Sequence, residues 1–199
     1  MLELFANLTT VICIWLAGRN NINTWWTGIV ACLLFGWLFY DAKLYADVTL
    51  QAFFVITGLI GWMQWSKSGD TVRPITELKR GELSGLIAIA IGLAAVYAFV
   101  LHSFTDAYAP AADSTVLAFS GLGQLLLMNR KKETWVAWLI VNTIAVPLFW
   151  SRELYLTSIL YGAFWVHAAW TLPQWWKAAE ENSKDLEPEI DYLYRNRGE

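Results

Sequence analysis

The chain has 199 residues, of which 57% are hydrophobic and only 16% charged, with a mean hydropathy of +0.41. That composition cannot cover a soluble surface of the same length with polar groups, so lipid is the expected solvent. The net charge of −3 hides acids crowded into residues 180–199, and it implies no nucleic-acid partner.

Apolar segments of membrane-crossing length must be helical, because a backbone in lipid has only internal hydrogen-bond partners. In chain order they are expected at Leu2 to Gly18, Trp25 to Tyr40, Leu44 to Trp65, Leu83 to Phe104, Ala111 to Met128, Trp135 to Trp150 and Leu154 to Trp176. The opening MLELFANLTTVICIWLAG lacks a basic leader and a small-residue cleavage site, and is expected to stay as the first helix. The second and sixth segments are short and must borrow flanking polar residues or thin the bilayer. The outer loop SFTDAYAPAAD holds proline and acids but no base, as an external turn permits. After Trp176, EENSKDLEPEIDYLYRNRGE is expected to be a solvated or partly disordered cytoplasmic extension.

An odd number of spans puts the termini on opposite sides, and the basic residues then sort by side. Arg19, Lys67, Arg73, Lys79, Arg80, Arg130, Lys131, Lys132, Lys177, Lys184, Arg195 and Arg197 share one face, opposed only by Lys43 and Arg152. The amino terminus is therefore expected outside and the carboxyl terminus in the cytoplasm of a bacterial inner membrane. Trp25, Trp26, Trp62, Trp65, Trp135, Trp175 and Trp176 fall at the inner ends and read as an interfacial aromatic belt. Cys13 and Cys32 lie in apolar runs without metal-ligand spacing and read as small hydrophobes.

Sliding the chain along itself by about 110 residues aligns INTWWTGIVACLLFGWLFYDAKLYADVTLQAFFVITGLIGWMQW with KETWVAWLIVNTIAVPLFWSRELYLTSILYGAFWVHAAWTLPQW without a gap. Thr24 and Trp25 meet Thr134 and Trp135, Phe54 meets Phe164, and Gln64 and Trp65 meet Gln174 and Trp175. The fold class expected is an all-α polytopic membrane protein with seven helices, arranged as two parallel three-helix repeats joined by a linker helix. Residues 1–66 form the first repeat, 67–110 the inner loop and linker helix, 111–176 the second repeat and 177–199 the tail. Cargo is expected between the halves near the midplane, with Pro147 and its repeat mate neighbour Gly36 as hinge candidates.

The second half, DSTVLAFSGLGQLLLMNRKKETWVAWLIVNTIAVPLFWSRELYLTSILY, resembles the PnuC-type vitamin transporters. The resemblance rests on Asp113, Ser114, Ser120, Gln124, Arg130, Lys131, Glu133, Trp135, Trp138 and Leu154 to Thr157. In the first half KLYADVTLQAFFVITGLIGWMQW is similar to the family's pattern. The resemblance implies a three-plus-one-plus-three arrangement like that of SWEET proteins. It also implies facilitated diffusion of a B-type vitamin, trapped by phosphorylation in the cytosol. Nicotinamide riboside is the first choice of cargo, with thiamine as the alternative and riboflavin also within the family's range.

Polar and aromatic residues at membrane depth are the natural binding groups. Gln51, Phe54 and Thr57 on the third span, Gln124 on the fifth, Trp138, Asn142 and Thr143 on the sixth, and Tyr161 and Trp165 on the seventh form the candidate substrate set. Amides and hydroxyls exchange hydrogen bonds with ribose or carboxamide, and aromatic faces stack on a flat ring. The same Gln and Asn residues would equally serve as glue between helices. Asp41, Asp47, Asp106, Asp113, Glu133 and Glu153 all sit toward helix ends, so a cationic ring would rely on aromatic faces, and no buried proton or sodium relay is expected. His167 is the exception, read either as a structural hydrogen-bonding group or as a group that touches cargo or a proton.

Enzymatic readings find no support. His102 and His167 are the only histidines, and there is no GxSxG, HExxH or Walker pattern, so no catalytic residue, metal or cofactor is expected. A retinal-type receptor would need a lysine in the last span, and none is there. A membrane subunit that binds partners without transporting is the remaining alternative. The apolar perimeter suits a monomer or a homo-oligomer such as a trimer.

Overall fold

The computed structural model describes residues 2–41, 45–67, 74–104 and 108–195. Lys43, Leu44, Arg73, Asp106 and Arg197, which entered the sequence reading, lie outside the described residues. Seven helices follow in order: α1 (Leu2–Gly18), α2 (Asn23–Asp41), α3 (Tyr45–Ser66), α4 (Arg80–Phe104), α5 (Pro110–Met128), α6 (Thr134–Ser151) and α7 (Tyr155–Arg195). The expected spans match these to within a turn, except at the end of α7. The described residues form no strand, only an isolated parallel bridge between Thr76 and Lys131.

Of the two expectations for the tail, helix α7 favours a solvated extension over a disordered one, since it continues without interruption over 41 residues to Arg195. At 1.5 Å per residue that is about 60 Å, roughly twice a bilayer's hydrocarbon core, so its second half must leave the lipid. The acidic sequence is rich in good helix formers. Lys184 bonds Glu180 at 2.7 Å and Lys177 approaches Glu181 at 3.8 Å, each one turn apart.

Three of the described helices, α4, α5 and α6, are long and apolar enough to cross a membrane, and α1 is a shorter apolar helix. α2 and α3 carry Trp25, Trp26, Trp37, Tyr40, Trp62 and Trp65, whose polar ring atoms lower hydropathy, and the exposed ones, Trp26, Trp37, Tyr40 and Trp62, suit a bilayer interface. On α4 only Ala90 and Ala94 are buried, while Ile89, Leu93, Val96 and Phe99 stand exposed. Such a surface would aggregate in water and is ordinary against lipid.

The chain divides into two compact units, one over residues 1–73 with 127–129, the other over 74–126 with 130–199. In the first, α1 packs on α2 and α2 on α3; in the second, α6 packs on α7. The repeat frame seen in the sequence returns as local geometry inside each unit. Asn20 and Arg130 both adopt the left-handed backbone region, with φ of 52° and 51°. The turn after α1 closes with Asn21 N–H donating to Leu16 O at 3.0 Å, and that after α5 with Lys131 N–H donating to Leu126 O at 2.9 Å. Buried Thr24 donates its hydroxyl to Cys13 O at 2.9 Å, and buried Thr134 donates to Gly123 O at 2.8 Å.

Of the seven tryptophans expected in an interfacial belt, Trp176 is half-buried with Lys132 Nζ 5.0 Å from its ring, and the other six split into two kinds. Trp26 and Trp62 are exposed as that reading requires, but Trp25, Trp65, Trp135 and Trp175 are all buried. Trp25 meets Trp65 edge to face at 5.2 Å, and their repeat mates Trp135 and Trp175 meet in the same manner at 5.7 Å. Edge-to-face packing uses the ring quadrupole and buries more apolar area than a lipid-facing anchor would. These four therefore brace the interior of their units. Gly61 makes the first pair possible, because a Cβ there would lie 2.6 Å from the Trp25 ring. Both cysteines are free; Cys13 fills a small site beside Thr24, with its Sγ 3.4 Å from the Thr24 hydroxyl.

Candidate functional site

In the first unit, Gln51, Phe54 and Thr57 lie at successive turns of α3. Thr57 is buried and donates its hydroxyl to the carbonyls of Phe53 and Phe54 at 2.9 and 3.2 Å, which ties it to its own helix. Phe54 is half-buried and tilted against Phe53 at 5.6 Å. Gln51 is half-buried, and its Cβ lies 3.7 Å from where a Cβ on Gly36 would stand, so α2 and α3 approach closely there.

The second unit gathers the larger part of the set. An apolar cluster of Ala90, Phe119, Leu122, Leu126 and Val141 is flanked by the half-buried rings of Trp138 and Tyr161. Tyr161 is tilted against Phe149 at 5.0 Å and meets the edge of Phe164 at 5.9 Å. Trp138 is seated by Gly123, whose place a Cβ would fill to within 3.1 Å of the indole. Gln124 follows Gly123 on α5 and is half-buried. Asn142 is one helical turn beyond Trp138, so the two share a face of α6. It is 3% exposed.

Thr143 and Trp165 form a separate pair. Trp165 Nε1 donates to Thr143 Oγ1 at 3.0 Å, with both residues exposed on α6 and α7. Thr143 in turn donates to Leu139 O at 2.7 Å. One residue step along a helix is about 100°, so Thr143 points away from the face that carries Asn142 and Trp138. His167 stacks edge-on to Trp135 at 5.6 Å, and its Nε2 lies 3.4 Å from the Thr171 hydroxyl.

Repeat mates of the second-unit candidates are apolar or small, except that of Tyr161. Gln124, Trp138, Asn142, Thr143 and Trp165 correspond to Ile14, Gly28, Cys32, Leu33 and Val55, while Tyr161 corresponds to Gln51. At one contact the sizes are exchanged. A Cβ on Gly28 would stand 3.0 Å from Cys13 Sγ, whereas in the second unit Gly123 replaces the cysteine and Trp138 replaces the glycine.

Sequence reading missed two features. Arg152 bonds Asp113 at 2.7 Å and lies 5.7 Å from the Tyr108 ring, closing the α6–α7 turn onto the start of α5. The other is the segment Ile75–Leu78, which docks on the α5–α6 turn through backbone and side-chain bonds. Neither has a periodic signal, since both depend on contacts between residues far apart in the chain.

Residues 1–177 match the family described as nicotinamide mononucleotide transporter. The chain is 26% identical over 190 residues to the nicotinamide riboside transporter PnuC of Escherichia coli (strain K12), covering 80% of this chain and 78% of that protein. It is 24% identical over 192 residues to the riboflavin/roseoflavin transporter RibM of Streptomyces davaonensis, covering 92% of this chain and 88% of the relative. A solved structure titled the crystal structure of the vitamin B3 transporter PnuC shares its fold, with a TM-score of 0.71 at 23% identity over 90% of this chain and 82% of that one.

Proposed function

Since the chain belongs to the nicotinamide mononucleotide transporter family, we propose that it carries nicotinamide riboside across the bacterial inner membrane by facilitated diffusion, with phosphorylation in the cytosol trapping the product. The observation that carries the choice of cargo is the chemistry at membrane depth in the second unit. Trp138 and Tyr161 flank one apolar cluster, and the buried carboxamide of Asn142 stands one turn from Trp138 on the same face of α6. Flat rings stack on such faces, and a pyridinium gains from the ring quadrupole. An amide supplies both donor and acceptor to a carboxamide or a ribose.

The riboside is favoured over the mononucleotide by charge. Among the described residues, α1, α2, α3, α5 and α6 contain no Lys or Arg, α4 has only Arg80 at its first position, and α7 has none before Lys177. A phosphate taken to the midplane would find no cation, and an unpaired charge in a low-dielectric interior is prohibitively costly. The basic residues gather at Arg130, Lys131, Lys132 and Lys177, which supports an inward-facing carboxyl terminus. The sequence relatives named for riboside and for riboflavin transport make both ligands part of the test.

Calorimetry on the purified protein, with nicotinamide riboside, nicotinamide mononucleotide, thiamine and riboflavin side by side, decides the cargo. Saturable uptake of the same ligand into liposomes holding this protein alone decides transport. Binding confined to nicotinamide riboside, with matching uptake, is the expected result. Preference for the mononucleotide would refute the charge argument, and no uptake of any of the four would favour a non-transporting subunit.

A further inference from the structure

The chain enters α4 through an extended strap, Ile75–Leu78, and the second unit grips it at every residue. Thr76 N–H donates to Arg130 O at 3.1 Å, and Lys132 N–H donates to Thr76 O at 3.0 Å. Lys131 Nζ donates to Thr76 Oγ1 at 3.0 Å and to Glu77 O at 3.1 Å, and Lys132 Nζ pairs with Glu77 at 2.5 Å. Leu78 N–H donates to the buried Glu133 carboxylate at 3.1 Å. Asn182, on the extension of α7, donates to Ile75 O at 3.0 Å. Ile75 is buried, and Leu78 packs on the same Phe119, Leu122, Leu126 and Val141 cluster that Trp138 and Tyr161 flank.

The duplicated frame separates what the α5–α6 turn needs for itself from what it holds for the strap. The turn after α1 reaches the same geometry with Asn21, Ile22 and Asn23 where the second unit has Lys131, Lys132 and Glu133. Two lysines and a buried carboxylate are therefore not required to fold the turn. Each of them bonds the strap, and Lys132 also lies over the Trp176 ring. Yet the grip is a single bridge and a set of side-chain bonds with Glu77 exposed, not a sheet, so it can be released without unfolding a helix.

We propose that the Ile75–Leu78 strap is a cytoplasmic latch on the cargo site: docked, Leu78 backs the cluster beside Trp138 and Tyr161, and each transport cycle requires the strap to leave the α5–α6 turn. The inference rests on the transport reading above and on the inward orientation of Lys131 and Lys132. It makes strap release, and not cargo binding, the step that limits movement across the membrane.

The test locks the strap reversibly. Thr76→Cys with Lys131→Cys, in a Cys13→Ala, Cys32→Ala background, joins bridge partners on segments about 5 Å apart, within the span of a disulfide. With nicotinamide riboside as the probe, oxidation is expected to lower liposome uptake about tenfold and dithiothreitol to restore it. Calorimetric affinity should stay the same in both redox states. Equal uptake before and after a complete cross-link, or failure of the pair to cross-link, would overturn the latch. Absence of both binding and uptake in the reduced protein and in the Cys13→Ala, Cys32→Ala parent would instead overturn the transport reading, and the latch with it.

Discussion

Gly123→Ala tests whether the pose of Trp138 matters to cargo or only to packing. The added Cβ would stand 3.1 Å from the indole, against 3.4–4 Å for ordinary contact, so the ring must yield by a few tenths of an ångström. Overpacking costs about 1–3 kcal/mol, while replacing a mid-helix glycine by alanine returns about 1 kcal/mol. The melting temperature should therefore drop little, by an amount equivalent to about 0–2 kcal/mol. A flat ligand stacked on Trp138 would lose a share of the roughly 0.5–1.5 kcal/mol that an aromatic pair supplies, which calorimetry would read as up to about tenfold weaker binding. The reciprocal exchange sharpens the test. Gly123→Cys with Trp138→Gly installs in the second unit the small pair that Cys13 and Gly28 already form in the first. It should recover at least about 1 kcal/mol of stability over Trp138→Gly alone, through a filled cavity, while leaving riboside binding lost. Retention of binding by the double variant would refute a cargo role for Trp138.

Thr24→Val and Thr134→Val remove equivalent hydroxyl bonds, to Cys13 O and Gly123 O, and should each lower stability by about 1 kcal/mol in thermal unfolding, a shared effect that separates scaffold from site. Glu77 is bonded to Lys132, and that hydrogen bond, then the charges of Lys132 and Lys131, hold its carboxyl below the usual carboxylate range. A lowered folded-state pKa contributes stability above the unfolded value, about 4.3, that is lost as pH falls through the folded value. Protease protection of the strap should thus stay constant from pH 7 to about 5 and weaken only below that range. With Glu77 67% exposed the effect should be under about 1 kcal/mol. Arg152→Ala and Asp113→Asn should each destabilise by about 1 kcal/mol or less, and a double-mutant cycle should show coupling that shrinks in high salt, because both side chains are half-exposed. Trp165→Phe keeps the ring but removes the bond to Thr143. If the pair touches cargo, riboside affinity should fall severalfold by calorimetry, and unchanged affinity would restrict the site to the face of Trp138 and Asn142.

The spans were legible because lipid leaves a helical segment little freedom: apolar length and charged punctuation fix α1 to α6 to within a turn. The end of α7 was not, since an acidic segment reads equally as a disordered tail or as a solvated helix, and the choice turns on i,i+4 pairs such as Glu180–Lys184. Polar residues at depth were legible as a list but not as an arrangement. Asn142 and Thr143 are neighbours in sequence, yet one helical step sends the first to the buried face beside Trp138 and the second to an exposed bond with Trp165. The fate of the inner tryptophans depended on partners a full helix pair away, which is why Trp25 and Trp135 read as belt residues and proved to be interior braces. Repeat pairing, Trp25 with Trp135 and Trp65 with Trp175, was the one sequence signal that separated these four from Trp26 and Trp62, which fall on Val136 and Leu172.

We infer that the internal repeat read in the sequence explains why the chemistry is lopsided. On that reading a repeated unit begins with two copies of every turn, brace and cap, and those that hold the fold must persist in both, as Thr24 and Thr134 or Asn20 and Arg130 do. Residues outside that set are free to diverge in one copy while the other preserves the scaffold. The second unit has used this freedom at Gln124, Trp138, Asn142 and Thr143, and again at Lys131, Lys132 and Glu133, where the first keeps apolar, small or neutral polar residues. The exchange of Cys13 and Gly28 for Gly123 and Trp138 shows the constraint at work, because a large ring entered only where its neighbour gave up a side chain. Positions at which the copies differ in chemistry but agree in backbone are thus the ones the fold does not demand, and function is the remaining reason for what stands there.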